Sequence, residues 1–309
     1  MASRSAGRSF GLTLAEGTLG TLFVVGKGGV GKTVLAEGLA AFASDAGRRT
    51  LLVRIGESLG AESAQAHSLG PSRHGFDVVD LDARVAMDEY VRHVVRLRPL
   101  VNRITKSEVY RKFFAAAPGL PELVLLGRIR EYSLETTKGD KPRWETIIVD
   151  CPSSGHAMLM LETPFAAYRA VSVGPFGRLA AQIMDWLQNR VHIAIVAIPE
   201  EMAVVEAVEF KDDLLERTGI TPALSFLNRM RRETLSAQAH HALAEVEAPA
   251  GSGDRLLLDC AAHVYRKARL EAFHQRRLSG GLALKPILVG ELPNCRPATV
   301  AAALAGGEA

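Results

Sequence analysis

Two lysines and a threonine set among closely spaced glycines, Gly26-Lys27-Gly28-Gly29-Val30-Gly31-Lys32-Thr33, are the residues of this chain best suited to chemistry. Glycines at this spacing let backbone N–H groups close around phosphate oxygens, while a lysine reaches the β- and γ-phosphates and a hydroxyl holds Mg²⁺. The pattern G-x-x-x-x-G-K-[ST] is complete, and Lys27 adds a second cation inside it. Farther along, Asp150 closes the apolar run Thr146-Ile147-Ile148-Val149, where a carboxylate can orient Mg²⁺ through its water shell. The segment Asp150-Cys151-Pro152-Ser153-Ser154-Gly155-His156 then supplies Gly155, whose N–H can sense a γ-phosphate. These groups imply binding of a nucleoside triphosphate with Mg²⁺.

Such a loop works only between a buried strand and a helix whose N-terminus faces the phosphates, and the flanking sequence provides both. Thr21-Leu22-Phe23-Val24-Val25 reads as the strand and Thr33 to Ala46 as the helix. Arg49-Thr50-Leu51-Leu52-Val53 reads as a second strand, completing a βαβ unit. Thr146 to Asp150, His192 to Ile198, Leu224 to Asn228 and Pro286 to Gly290 read as further strands, with helices over Pro199 to Thr218 and Pro297 to Leu304. Alternation of this kind predicts an α/β fold, a doubly wound and mostly parallel sheet of the P-loop NTPase kind. Between the second and third of these strands lies an excess of about ninety residues, too long for an ordinary crossover, with helical periodicity over Met87 to Leu97 and Pro121 to Tyr132. Helical insertions are therefore expected at about 85–140 and at 158–190, the second broken into short pieces by Pro164, Gly174-Pro175 and Gly177. Arg231 to Gln275 is also mainly helical, interrupted by Ala248-Pro249-Ala250-Gly251-Ser252-Gly253. The expected organisation is one domain over 20–305, behind a flexible 1–19 and ahead of a tail at 306–309.

Composition narrows the classes. The chain has 309 residues, 48% hydrophobic and 23% charged, enough for one sizeable α/β core. A formal charge of +3 argues for neither nucleic acid nor an anionic membrane. No apolar run reaches the roughly 18 residues of a membrane span, and the first residues lack the apolar stretch of a signal peptide, so no integral membrane segment and a cytoplasmic location are expected. The 3 cysteines, Cys151, Cys260 and Cys295, form no C-x-x-C pair and read as small buried residues rather than a zinc site or disulfide framework.

Several separated segments now coincide. Lys27 to Thr33, Asp150 to His156, Ile198-Pro199-Glu200-Glu201-Met202 and Asn228-Arg229 together resemble the landmarks of the ArsA-type anion-pump and tail-anchored-protein-targeting ATPases. That family lies within the deviant Walker A class that also holds the ParA and MinD ATPases, and the likeness runs from about residue 20 to 300. It implies ATP and Mg²⁺ as cofactors. Lys32 would bind the β/γ-phosphates within the cradle of Gly26, Gly28, Gly29, Val30 and Gly31, Thr33 would bind Mg²⁺ directly, and Asp150 would hold it through water. Lys27 would reach across a dimer interface to the nucleotide of the other subunit, Asn228 would read the adenine edge, and Leu292 and Pro293 would pack against the purine.

Departures from the family matter too. Members carry D-P-A-H-S after the second strand, where the Asp positions the attacking water, whereas this chain has Arg54-Ile55-Gly56-Glu57-Ser58. Glu57 either substitutes with a one-residue slip or is an exposed loop acid, and misplacement near 1 Å already costs ~100-fold. No Met-rich client groove is visible: Met87 is the sole methionine from Ala61 to Ser154, and Leu120, Leu123, Leu125 and Leu126 read as local core. Two readings follow. One is a dimerising, Mg²⁺-dependent ATPase, a homodimer or a heterodimer with a family paralogue, that handles an unknown protein client; the other is a nucleotide-binding regulatory subunit with weak or no hydrolysis, paired with a second family member.

Overall fold

Apolar and β-branched residues run almost without interruption through β1 (Thr21–Val25), β2 (Thr50–Ile55), β5 (Thr146–Asp150) and β6 (Val191–Ala197). Strands with no polar face to turn to solvent belong in the middle of a parallel sheet covered on both sides. The computed structural model of the protein, which describes residues 20–56, 70–71, 75–94, 107, 119–231, 237–246, 253–292 and 294–306, places them there. With β3 (Gly70–Pro71), β4 (Asp77–Leu81), β7 (Leu224–Met230) and β8 (Ile287–Gly290), the sheet order is β3-β4-β2-β5-β1-β6-β7-β8. All pairings are parallel except β3 against β4.

Alternate residues of each strand enter different layers. Leu22, Val24, Leu52, Ile148 and Val196 face α1 (Lys32–Asp45), against which α9 (Pro297–Gly306) also packs. Phe23, Leu51, Val53, Ile147 and Ile193 face the opposite layer. There α2 (Ala83–Val94), α3 (Leu120–Leu134), α4 (Ser154–Ala170), α5 (Gly174–Arg190) and α6 (Glu201–Thr218) lie, joined by the end of α8 (Gly253–Leu282). The short α7 (Ala237–Ala244) packs on α8. Leu123, Leu125 and Leu126 are buried and Leu120 partly so, as local core should be.

Three features differ from the sequence expectation. The stretch between β2 and β5 contains two further strands, the two-residue β3 and β4, and in β4 Val79 and Leu81 are buried while Asp80 is exposed. Acids at Asp77 and Asp80 interrupt its apolar pattern, which is tolerable because, among the described residues, only the two-residue β3 lies beyond it at the sheet edge. Residues 154–190 are not broken into short pieces but form two helices of 17 residues each, α4 and α5. Pro164 lies inside α4 without ending it, and the preceding Thr163 hydroxyl donates to the Leu159 carbonyl at 2.6 Å. Finally, Cys151 is buried, but Cys260 and Cys295 are exposed, so only one of the three thiols is a core residue.

Candidate functional site

The glycine-rich loop connects β1 to α1 at the carboxyl edge of the sheet, where parallel α/β folds hold ligands. A side chain at Gly26 would strike the carbonyl oxygen of Val196, so the loop can leave β1 beside β6 only without one. Gly31 has φ 92° and abuts the Asn228 amide nitrogen, a backbone and a space that only glycine suits. Gly31 is also the N-cap of α1, with no side-chain cap and no acid in the first turn. The helix N-terminus is thus left with uncapped N–H groups and its positive dipole end, the arrangement that favours a bound anion.

Neighbouring side chains hold the loop by its carbonyls. The Asn228 amide donates to Val30 O at 2.8 Å and the Arg229 guanidinium to Gly29 O at 2.9 Å. Within the loop, Lys32 Nζ donates to Lys27 O at 3.0 Å, placing the ammonium over the cradle. Lys27 itself turns outward to Glu206 of α6, Nζ to Oε2 3.4 Å. Arg229 holds a left-handed backbone at φ 59°, and its N–H donates to Asn228 Oδ1 at 2.9 Å, so the turn after Asn228 fixes the amide's orientation.

Asp150 ends β5 in register with Val24 of β1 and Arg54 of β2, which sets its carboxylate beside the loop. It is 8% exposed. Burial pushes its carboxyl above the ordinary range; a hydrogen bond from Thr33 and the charge of Lys32 oppose that, Glu37 adds to it, and Arg54 weakly opposes it. Oδ1 is buried and accepts no hydrogen bond from a described residue. An orphaned carboxylate oxygen beside a threonine hydroxyl and a lysine fits a hydrated Mg²⁺, whose waters would donate to it. Next in the chain, the Cys151 thiol is pushed well up by burial and by Asp150.

Arg54 closes the outer side. Its guanidinium pairs with Asp80, Nε to Oδ1 2.8 Å, and lies 3.8 Å from Glu37. Gly155 is exposed in the first turn of α4, and Ser153 Oγ lies 3.2 Å from His156 Nδ1. Leu292 is partly buried on the α1 side of the sheet, while Glu57 and Pro293 lie outside the described residues. The fold therefore brings together Lys27, Lys32, Thr33, Asp150 and Asn228 around one loop. Sequence reading passed over Glu206 and Arg54 as ligands of this cluster and used Arg229 only as a landmark. Nothing in their spacing marks them, since contact depends on how α6, β4 and β7 pack.

A second feature lies on the helical layer. An apolar cavity of about 550 Å³ opens between α3, α4 and the start of α5, with Leu123, Leu159, Ala166, Val171 and Phe176 among its lining. Leu159, Val171 and Phe176 are also exposed.

Comparison with known proteins gives concordant results. The sequence profile of the anion-transporting ATPase family, ArsA_ATPase, matches residues 19–217. The ATPase BagA of Mycobacterium tuberculosis is 26% identical over 204 residues, covering 62% of this chain and 60% of that protein. The arsenical pump-driving ATPase of Escherichia coli is 24% identical over 220 residues, 68% of this chain and 34% of the relative. A putative arsenical pump-driving ATPase of Halobacterium salinarum is 23% identical over 235 residues, 69% of this chain and 36% of the relative. The matched region thus spans about three fifths of BagA and about a third of the arsenical pump ATPases.

Proposed function

Because the chain belongs to the anion-transporting, ArsA-type ATPase family, we propose that it binds ATP with Mg²⁺ and hydrolyses it in a cycle of dimer opening and closing. The observation that carries this reading is the pairing of an uncapped α1 N-terminus with Lys32, Thr33 and the orphaned Asp150 oxygen around one loop. The loop glycines and α1 would bind the β/γ-phosphates, and Lys32 would exchange the Lys27 carbonyl for phosphate oxygen. Thr33 and Asp150 would hold Mg²⁺, which supplies charge neutralisation when bound. Lys27 would leave Glu206 to reach nucleotide across a dimer interface. Asn228 would have to give up the Val30 carbonyl before reading adenine, with Leu292 and Pro293 beside the purine; Gly155 would report on the γ-phosphate.

Hydrolysis needs only a positioned water and concentrated positive charge, since phosphoryl transfer asks little covalent chemistry of the protein. Glu57 is our candidate for positioning that water. The second reading, a nucleotide-holding regulatory subunit, is favoured by one observation: Arg54, near the end of β2, is tied to Asp80 and Glu37, and no Asp follows the strand where the family resemblance implies one. We assign the apolar cavity between α3, α4 and α5 to a protein client, the partner class such a cycle would serve.

Calorimetric titration tests the site. Wild type should bind ATP more tightly with Mg²⁺ than without, Lys32→Ala should lose at least about tenfold in affinity, and Thr33→Ala should lose the Mg²⁺ effect. Equal binding by wild type and Lys32→Ala would sink the proposal.

A further inference from the structure

One carboxylate on α6 touches two parts of the site that lie far apart in the chain. Glu206 Oε2 is 3.4 Å from Lys27 Nζ, and Glu206 Oε1 accepts a hydrogen bond from the Ser154 hydroxyl. Lys27 belongs to the glycine loop; Ser154 is the first residue of α4, four positions after Asp150, and is 7% exposed. Glu206 lies in the second turn of α6, so its backbone is fixed by a helix that packs on α4. The loop lysine and the head of α4 therefore share one anion.

We propose that Glu206 is a positioning residue that restrains Lys27 within its own subunit and couples its release to Ser154, and hence to the segment that follows Asp150. This rests on the reading of Lys27 as a nucleotide-contacting lysine. Lys27 and Glu206 side chains are 39% and 33% exposed, so water screens their attraction. A partly exposed pair of this kind stabilises by about 0.2–1 kcal/mol, which biases the lysine by about 1.4- to fivefold and no more. That is weak enough for a triphosphate to win Lys27 away and strong enough to hold it when none is near. When Lys27 leaves, Glu206 keeps a buried hydroxyl as its donor but loses its countercharge. The Ser154 contact then bears the whole carboxylate, so the state of the loop is felt at the start of α4.

The charge and the hydrogen bond can be separated by substitution. Glu206→Gln keeps an acceptor for Ser154 and removes the attraction to Lys27, Ser154→Ala does the reverse, and neither should unfold the protein. The measurement is a double-mutant cycle on the Mg²⁺-ATP concentration that half-saturates dimer formation, followed by sedimentation, with ATP affinity measured in parallel. Glu206→Gln should lower the half-saturating concentration about 1.4- to fivefold, and the gain should vanish in a Lys27→Ala background, which a merely structural role for Glu206 would not produce. Glu206→Asp, which shortens the reach but keeps the charge, should fall between wild type and Glu206→Gln. No change in Glu206→Gln, or an equal change with and without Lys27, overturns the role of Glu206 while leaving the ATP site standing. Failure of wild type to bind ATP or to assemble with it overturns the underlying reading and this proposal together.

Discussion

Asp150 sits where a metal-orienting carboxylate is useful and where an unliganded carboxylate is costly. Its folded-state acidity is weakened by burial, so the unfolded chain releases this proton at a lower pH than the native protein does. Its ionisation therefore works against folding: the penalty is absent at acid pH and grows as pH rises through the interval between the unfolded and folded values. Asp150→Asn is accordingly expected to raise the thermal midpoint of the nucleotide-free protein at neutral pH, with the difference from wild type fading on acidification. The same variant should lose the Mg²⁺-dependent tightening of ATP binding. Melting curves across pH check the first part, and titration checks the second. At Cys151, burial and the adjacent carboxylate keep the thiol protonated, so Cys260 and Cys295 should react with a thiol reagent in the native protein while Cys151 reacts only on unfolding. Lys32, Thr33 and Asp150 were legible in sequence because each is fixed by its distance from a strand end. Glu206 and Arg54 were not, since an acid in a helix or an arginine at a strand end looks like any solvated charge until another element is packed beside it.

At the scale of elements, the central strands announced themselves by apolar residues on both faces, which a solvated strand would not carry. β4 did not, because an edge strand can expose Asp80 and tolerate Asp77. α4 hid behind Pro164, whose presence argues for a break that burial of Leu161 and Phe165 on either side overrides. Helix contacts were likewise unreadable. Gly38 of α1 marks where α9 crosses, and a methyl group there would collide with Val300. Alanine improves helix propensity by up to ~1 kcal/mol, but overpacking costs ~1–3 kcal/mol, so overpacking wins. Gly38→Ala is expected to destabilise by about 1 kcal/mol, and Val300→Ala should restore part of the loss. Denaturant titration of the two variants and their double mutant measures this, and an unaffected Gly38→Ala would mean that α9 does not lie where the structure places it.

Taken whole, the molecule puts the glycine-rich loop on the carboxyl edge of the sheet and an apolar recess on its helical layer, with α4 running from one toward the other. Among the described residues no helix is long and apolar enough to cross a membrane. Under the proposed function, that geometry would give a nucleotide cycle a lever on a bound client. Leu159→Asp with Phe176→Asp should leave ATP affinity unchanged and weaken binding of an apolar fluorescent probe, and a probe signal insensitive to both would remove the recess as a client site. Catalysis is decided by steady-state phosphate release from Mg²⁺-ATP, measured for purified wild type, Lys32→Ala and Glu57→Gln. Our account expects turnover by wild type, its loss in Lys32→Ala, and a strong reduction in Glu57→Gln. Tight ATP binding without turnover would contradict the enzymatic reading and leave the regulatory one, and turnover indifferent to Lys32 would contradict the site itself.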